Sequence, residues 1–316
     1  MYIGRLKMWK RIKKVSLLIF CYLMIFFMIA AIYHFIMLKV EKVKITNVGT
    51  SVVVDGYNMN VYLEGKRSDT EAAIVLLSGS GVASPIYDYK ILYSKLTDEY
   101  QVAVIEKFGY GYSDVSGLPR DVATLVEEDR KALKEAGVEM PYVLMPHSLS
   151  ALEAIYWADA YPEEVEKIIG LDMAVPDSYV KSNMAGITFM KIMTYFGMHR
   201  IPVFCYVNQD GLSDGEYEQN KLLVYRNSLN TDVYEECKMV LNNAKTVGKL
   251  PVPDVPILLF TTNLAHASGY EGWVKAQEDF AEHAKNCTQI KIDGSHNLHY
   301  YKSDYIVEEI KKFMKD

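Results

Sequence analysis

From Val43 onwards, short continuous apolar runs alternate with stretches whose apolar residues recur every three or four positions. "SVVVDGYNMNVYLEG" reads as two strands around an Asp55-Gly56 turn. "AAIVLLSGSG" is an apolar run closed by glycines, the pattern of a strand buried on both faces. "YDYKILYSKLTDEY" has helical spacing, "QVAVIEKFGYGYSD" is a second buried strand with a Gly-rich loop, and "TLVEEDRKALKEAG" is a helix followed by glycine. "PYVLMP", "VEKIIGLDM", "VPILLFTTN" and "TQIKIDG" are further strands, and helical patterns follow each or lie between them. Such alternation predicts an α/β fold with a doubly wound, mostly parallel sheet.

Two stretches break the alternation. From about Pro176 to Pro253 no strand pattern occurs, but helical ones do, such as "EYEQNKLLVYRNSL" and "VYEECKMVLNNAKTVG". This predicts a helical insertion over the carboxyl ends of the strands, where open sheets of this kind bind ligands. At the other extreme, Val15–Leu38 is 24 residues without a formal charge. A span needs about 20 apolar residues, so this one is long enough to cross a bilayer. A cleaved signal peptide would have a shorter apolar region and a small-x-small cleavage site, whereas Ala30-Ala31 is followed by bulky Ile32, Tyr33, His34 and Phe35. We expect residues 1–44 to form a basic cytoplasmic segment with an uncleaved transmembrane anchor, and residues 45–316 a single domain with the insertion.

Charge adds an orientation. Six Lys/Arg precede the apolar stretch and three lie between it and residue 45, which predicts a cytoplasmic N-terminus and an extracytoplasmic domain in the cell membrane. The first 44 residues hold nine Lys/Arg and one acid, although the whole chain carries a net charge of −6. The domain is therefore strongly acidic, which argues against nucleic acid as a partner. With Cys21 in the span, Cys205, Cys237 and Cys287 allow at most one internal disulfide. No CxxC or HExxH occurs, and no metal or cofactor is implied.

Candidate chemistry sits in "YVLMPHSLSALEAIYWADAYP", where a buried strand turns abruptly into a helix at Ser148. A sharp strand-to-helix turn exposes a serine oxygen and lets backbone N–H groups face a developing oxyanion. The usual Gly-x-Ser-x-Gly is here Pro146-His147-Ser148-Leu149-Ser150. Taken alone, Ser148 is equally well a helix N-cap.

Taken together, "LLSGSG" after the third strand, "EKFGYGYSD" after the fourth, "PHSLS" after the fifth and "GSHNLH" near the C-terminus resemble the α/β-hydrolase superfamily over roughly residues 45–316. The resemblance is greatest to small membrane-anchored bacterial members whose elbow also carries Pro-His-Ser. It implies a Ser148 nucleophile, an oxyanion hole made by the N–H groups of Ser80 and Leu149, and a catalytic histidine in the loop before the final helix. His296 fits that place and His299 is its competitor. His147 is expected to point elsewhere. The family's commonest acid follows the seventh strand, where "PILLFTTNLAHASGYEG" offers no Asp and Glu271 lies far along. Its alternative place follows the sixth strand, where Asp172 stands at the strand's end and Asp177 comes soon after, so Asp172 is the expected acid.

The start of the insertion is rich in methionines and aromatics, Met173 and Phe189 among them, which suits either adaptable apolar substrate binding or the core of a cap. The implied reaction is hydrolysis of an ester or other acyl bond in a small or medium apolar molecule. A non-catalytic binding domain and a peptidase on the same scaffold are the alternatives.

Overall fold

The computed structural model describes residues 2–66, 72–178, 182–205, 207–262 and 271–315, with main chain only at 2–7 and 271. In chain order the elements are α1 (Tyr2–Lys42), β1 (Thr50–Val54), β2 (Tyr57–Glu64), β3 (Ala73–Leu77), two helical turns α2 (Pro85–Asp88) and α3 (Lys90–Tyr93), β4 (Val102–Glu106), α4 (Val122–Glu135) and β5 (Tyr142–Pro146). There follow α5 (Ala151–Ala160), β6 (Val165–Leu171), α6 (Met184–Tyr195), α7 (Asp214–Asn227), α8 (Thr231–Val247), β7 (Ile257–Thr262), α9 (Glu271–His283), β8 (Cys287–Ile292) and α10 (Leu298–Phe313).

The eight strands form one sheet in the order β1-β2-β4-β3-β5-β6-β7-β8. β2 runs antiparallel to both its neighbours and all remaining pairs are parallel. The β1–β2 hairpin closes at Val54 opposite Tyr57, with Asp55 and Gly56 both at positive φ (48° and 87°), as a two-residue turn matched to strand twist requires. Every residue of β3, β4 and β5 is buried, because helices cover both faces of the sheet and each side chain must be apolar whichever way it points.

One core layer packs residues of α4 and α5 (Val126, Leu133, Leu152, Trp157) on one face of the sheet. The other packs α3 and α10 (Leu92, Tyr93, Ile306, Ile310) on the opposite face. The helical spacing of "YDYKILYSKLTDEY" is realised as the two short turns α2 and α3 followed by hydrogen-bonded turns to Tyr100. Between β6 and β7, α6, α7 and α8 are the long helices and no strand occurs among the described residues.

Within α1, Met8–Lys42 is long and apolar enough to cross a membrane. Its covered positions, Phe27, Ala30, Ala31, His34, Met37, Leu38 and Glu41, recur at three and four, so they form a single stripe along one side. No disulfide forms among the described cysteines.

Candidate active site

The parallel strands β5, β6, β7 and β8 deliver their next residues to one edge of the sheet, and the site is built there. After β5 the chain turns at Ser148, whose φ of +55° lies in the left-handed region that a serine rarely adopts. Three features over-determine that turn. His147 N–H bonds Leu77 O at 3.1 Å, taking over from Pro146 at the strand's last rung. Ser150 Oγ donates to Leu77 O at 2.7 Å and accepts from His147 N–H at 3.1 Å. Ala174 N–H then bonds Ser148 O at 2.8 Å. The small residue two places after Ser148 is thus a serine whose hydroxyl locks the turn. Gly79 approaches so closely that a Cβ there would stand 3.1 Å from the Ser148 Cβ. Ser148 itself is half-buried.

The β3 loop beside it carries Ser80. The N–H of Gly79 donates to the Tyr89 hydroxyl and that of Gly81 to the Tyr110 hydroxyl, each at 3.2 Å, so the Ser80 N–H lies between two N–H groups already engaged. The Ser80 hydroxyl lies 3.5 Å from Cys237 Sγ on α8.

Asp172 follows β6 at φ +42° and is fully buried. Its Oδ1 accepts from Thr262 N–H and Gln277 Nε2, both at 3.0 Å. Its Oδ2 accepts from Thr262 Oγ1 at 2.8 Å and from His296 Nδ1 at 2.6 Å. Burial by itself would raise the carboxyl's pKa. The bonds from His296, Gln277 and the Thr262 N–H outweigh it and hold Asp172 below the ordinary aspartate value, so it is ionised. His296 stands on the loop between β8 and α10, its ring crossed edge-on by Trp273 with centroids 5.4 Å apart.

The structure therefore brings Asp172 against His296 and leaves the competitors elsewhere. Asp177 is exposed, the Glu271 side chain and His266 lie outside the described residues, and His299 is buried against Tyr89 with ring centroids 4.6 Å apart. The expectation for His147 is corrected. Its ring packs on His296 at 4.7 Å, Nε2 meets the His296 carbonyl at 3.1 Å and Nδ1 meets the Tyr89 hydroxyl at 2.8 Å. Burial, and after it the nearby His296 and His299, push its pKa well below the usual value and keep it neutral. Met173 is fully buried, its sulfur close against Gly170 beneath the site, while Phe189 is exposed on α6. Sequence reasoning also passed over Tyr89, Thr262 and Gln277. Only the "FTT" ending of the β7 run hinted at a polar strand end facing the acid.

Eight strands in this order with one antiparallel intruder, a strained serine after β5 and a buried Asp-His pair after β6 and β8 define the α/β-hydrolase fold. Solved structures agree on the fold. A putative lipase of Acinetobacter baumannii superimposes with a TM-score of 0.65 at 16% identity, covering 89% of this chain and 95% of that one. Epoxide hydrolase A of Mycobacterium thermoresistibile gives 0.65 at 16% identity over 85% and 98%. The enol-lactonase of Burkholderia xenovorans gives 0.61 at 14% identity over 84% and 100%. No family model matches the sequence. The chain is 35% identical to the uncharacterized protein YbdG of Bacillus subtilis over 98% of both chains, and it belongs to the same family.

Proposed function

We propose that the protein is a serine hydrolase that cleaves an ester or other acyl bond of an apolar molecule, with Ser148 as nucleophile. The observation that carries this reading is the 2.6 Å pairing of Asp172 and His296 at the same sheet edge as a serine held at φ +55°. In the reaction His296 Nε2 takes the Ser148 hydroxyl proton as Oγ attacks the carbonyl carbon. Asp172 fixes the imidazole's tautomer and stabilises the imidazolium. The N–H groups of Ser80 and Leu149, at the head of a helical run, stabilise the tetrahedral oxyanion. His296 returns the proton to the leaving alcohol, and water, deprotonated in turn by His296, releases the acid and regenerates Ser148.

Residues 1–44 serve as the membrane anchor, with the domain outside the cytoplasm, and α6 to α8 form a cap. The length of the apolar stretch and the six-to-three distribution of basic residues around it support this.

A fluorophosphonate separates enzyme from binding domain. It should label the wild type and leave Ser148→Ala unlabelled; equal labelling of both would sink the assignment. Turnover of acyl esters without turnover of aminopeptides would separate the esterase reading from the peptidase one.

A further inference from the structure

The covered stripe of α1 starts at Phe27, near the middle of the apolar stretch Val15–Leu38, and continues to Glu41. What covers it is the cap. Phe27 packs on Phe196 with centroids 5.0 Å apart, and Phe35 on Tyr195 at 5.1 Å. His34 packs on His199 at 5.0 Å, and Gly197 comes so near that a Cβ on it would stand 2.7 Å from the His34 Cβ. At 1.5 Å per residue, Phe27 lies roughly 16 Å inside the end of the apolar stretch at Leu38, so the cap flanks the outer half of the helix rather than sitting beyond it.

The cap surface at that level is apolar and uncovered. Phe189, Met190, Ile192 and Tyr195 on α6, with Val203 and Phe204 just after it, are all exposed by about half or more. Patches of this kind on a domain in water are uncommon and mark a partner. Lys191 and Arg200 beside this face both have partners. Lys191, the sole charge on α6, lies over the Tyr234 ring at 3.8 Å. Arg200 forms a two-pronged pair with Glu41, both bonds at 2.7 Å, and donates to His34 Nδ1 at 2.8 Å.

We propose that the cap helix α6 and the segment to Phe204 are seated in the acyl region of the leaflet that surrounds the outer half of α1, and that the ester taken by the Ser148 site is dissolved in that bilayer. A helix held along a membrane span, at the depth of the lipid chains and apolar on its free side, has lipid as its partner. One helix separates that face from the nucleophile loop. α6 is tied to α8 through Thr188 Oγ1 and Tyr234 OH at 2.8 Å, and Cys237 on α8 touches Ser80. A long-chain acyl ester in the leaflet is therefore about one helix diameter, roughly 10 Å, from the site. The inference rests on the reading of α1 as a membrane span.

The test uses the full chain in vesicles made with lipids brominated on their acyl chains, which quench nearby tryptophan. In a Trp9→Phe background, Phe20→Trp reports on the span, and Ile192→Trp and Phe204→Trp report on the cap. Tyr305→Trp, exposed on α10, is the aqueous control. Loss of fluorescence at Phe20, Ile192 and Phe204, but not at Tyr305, supports the proposal. Quenching at Phe20 alone overturns it and leaves the anchor standing, with a second copy or a soluble partner covering the face. No quenching even at Phe20 overturns both. A paired Ile192→Asp, Phe204→Asp variant should then lose at least tenfold in turnover of a long-chain ester held in vesicles, while hydrolysing a soluble short-chain ester at the wild-type rate. An equal rate on the vesicle-held ester would overturn the bilayer route.

Discussion

His147 Nε2 meets the backbone carbonyl oxygen of His296 at 3.1 Å. A carbonyl only accepts, so Nε2 carries the ring proton and Nδ1 accepts from Tyr89, whose hydroxyl also receives the Gly79 N–H. One neutral imidazole thus joins the Ser148 turn, the loop bearing Ser80 and the loop bearing His296. His147→Phe keeps the ring's bulk and removes both bonds. Losing one or two buried hydrogen bonds costs about 1–3 kcal/mol, so ester kcat should fall roughly tenfold to a hundredfold. Fluorophosphonate labelling of Ser148 should slow in step. Labelling at the wild-type rate would show that the elbow holds without this link.

Asp172→Asn should leave the circular dichroism spectrum at neutral pH unchanged and cost about 10⁴ in turnover, the scale of the same exchange in a serine protease triad. Asp177→Asn should cost little, since that residue is exposed away from His296. The folded Asp172 carboxyl titrates below its ordinary value of 3.8. Its share of stability is therefore complete above that value and disappears as pH falls through the lower folded one. The melting curves of wild type and Asp172→Asn should converge on acidification. Full turnover by Asp172→Asn would move the acid elsewhere.

Glu106 provides a pH dependence of opposite sign. It is fully buried at the end of β4, accepting from Tyr112 N–H at 2.8 Å and Asn60 Nδ2 at 3.0 Å. Burial pushes its pKa from 4.5 to about 7, against the lowering effect of those bonds. Between these values the folded chain holds a proton that the unfolded chain has lost, so stability falls as pH rises across the window. The loss is on the order of 3 kcal/mol by pH 8. Urea unfolding at pH 5 and pH 8 should show this decline in wild type and a smaller one in Glu106→Gln; identical slopes would exclude Glu106 as the source.

Lys107 is buried between Glu153 on α5 and Glu236 on α8, at 2.8 and 2.9 Å, and Glu236 also accepts from Tyr110 OH at 2.5 Å. This cluster ties the sheet's own helix to the insertion. Lys107→Met would leave two buried carboxylates without their cation, so a destabilisation of about 3–5 kcal/mol is expected in chemical denaturation. Lys107→Met with Glu153→Gln and Glu236→Gln should recover part of it. A single variant as stable as wild type would mean that water already screens the cluster.

The sequence determined the sheet and the edge at which the candidate site residues lie. Strands apolar on both faces have only one favourable setting, between two layers of helices, so "AAIVLL", "QVAVIE" and "PYVLMP" declared a parallel sheet and the loops after them declared its active edge. Ser148 and Asp172 could be singled out because each stands directly beyond a strand, and His296 because it lies in the loop after the last one, where local pattern and position in the chain coincide.

Tertiary structure decided what depends on residues distant in the chain. His147 meets His296 149 positions later, Asp172 is held by Gln277 105 positions away, and Phe196 reaches back to Phe27. A periodic pattern reports which face of an element is apolar but not what that face will meet. The methionines and aromatics after Pro176 could therefore be read as cap core or as substrate contact. Only the packing of α6 along α1 showed an apolar face that the rest of the chain leaves open, because that contact joins the first helix to the sixth and neither helix encodes it alone.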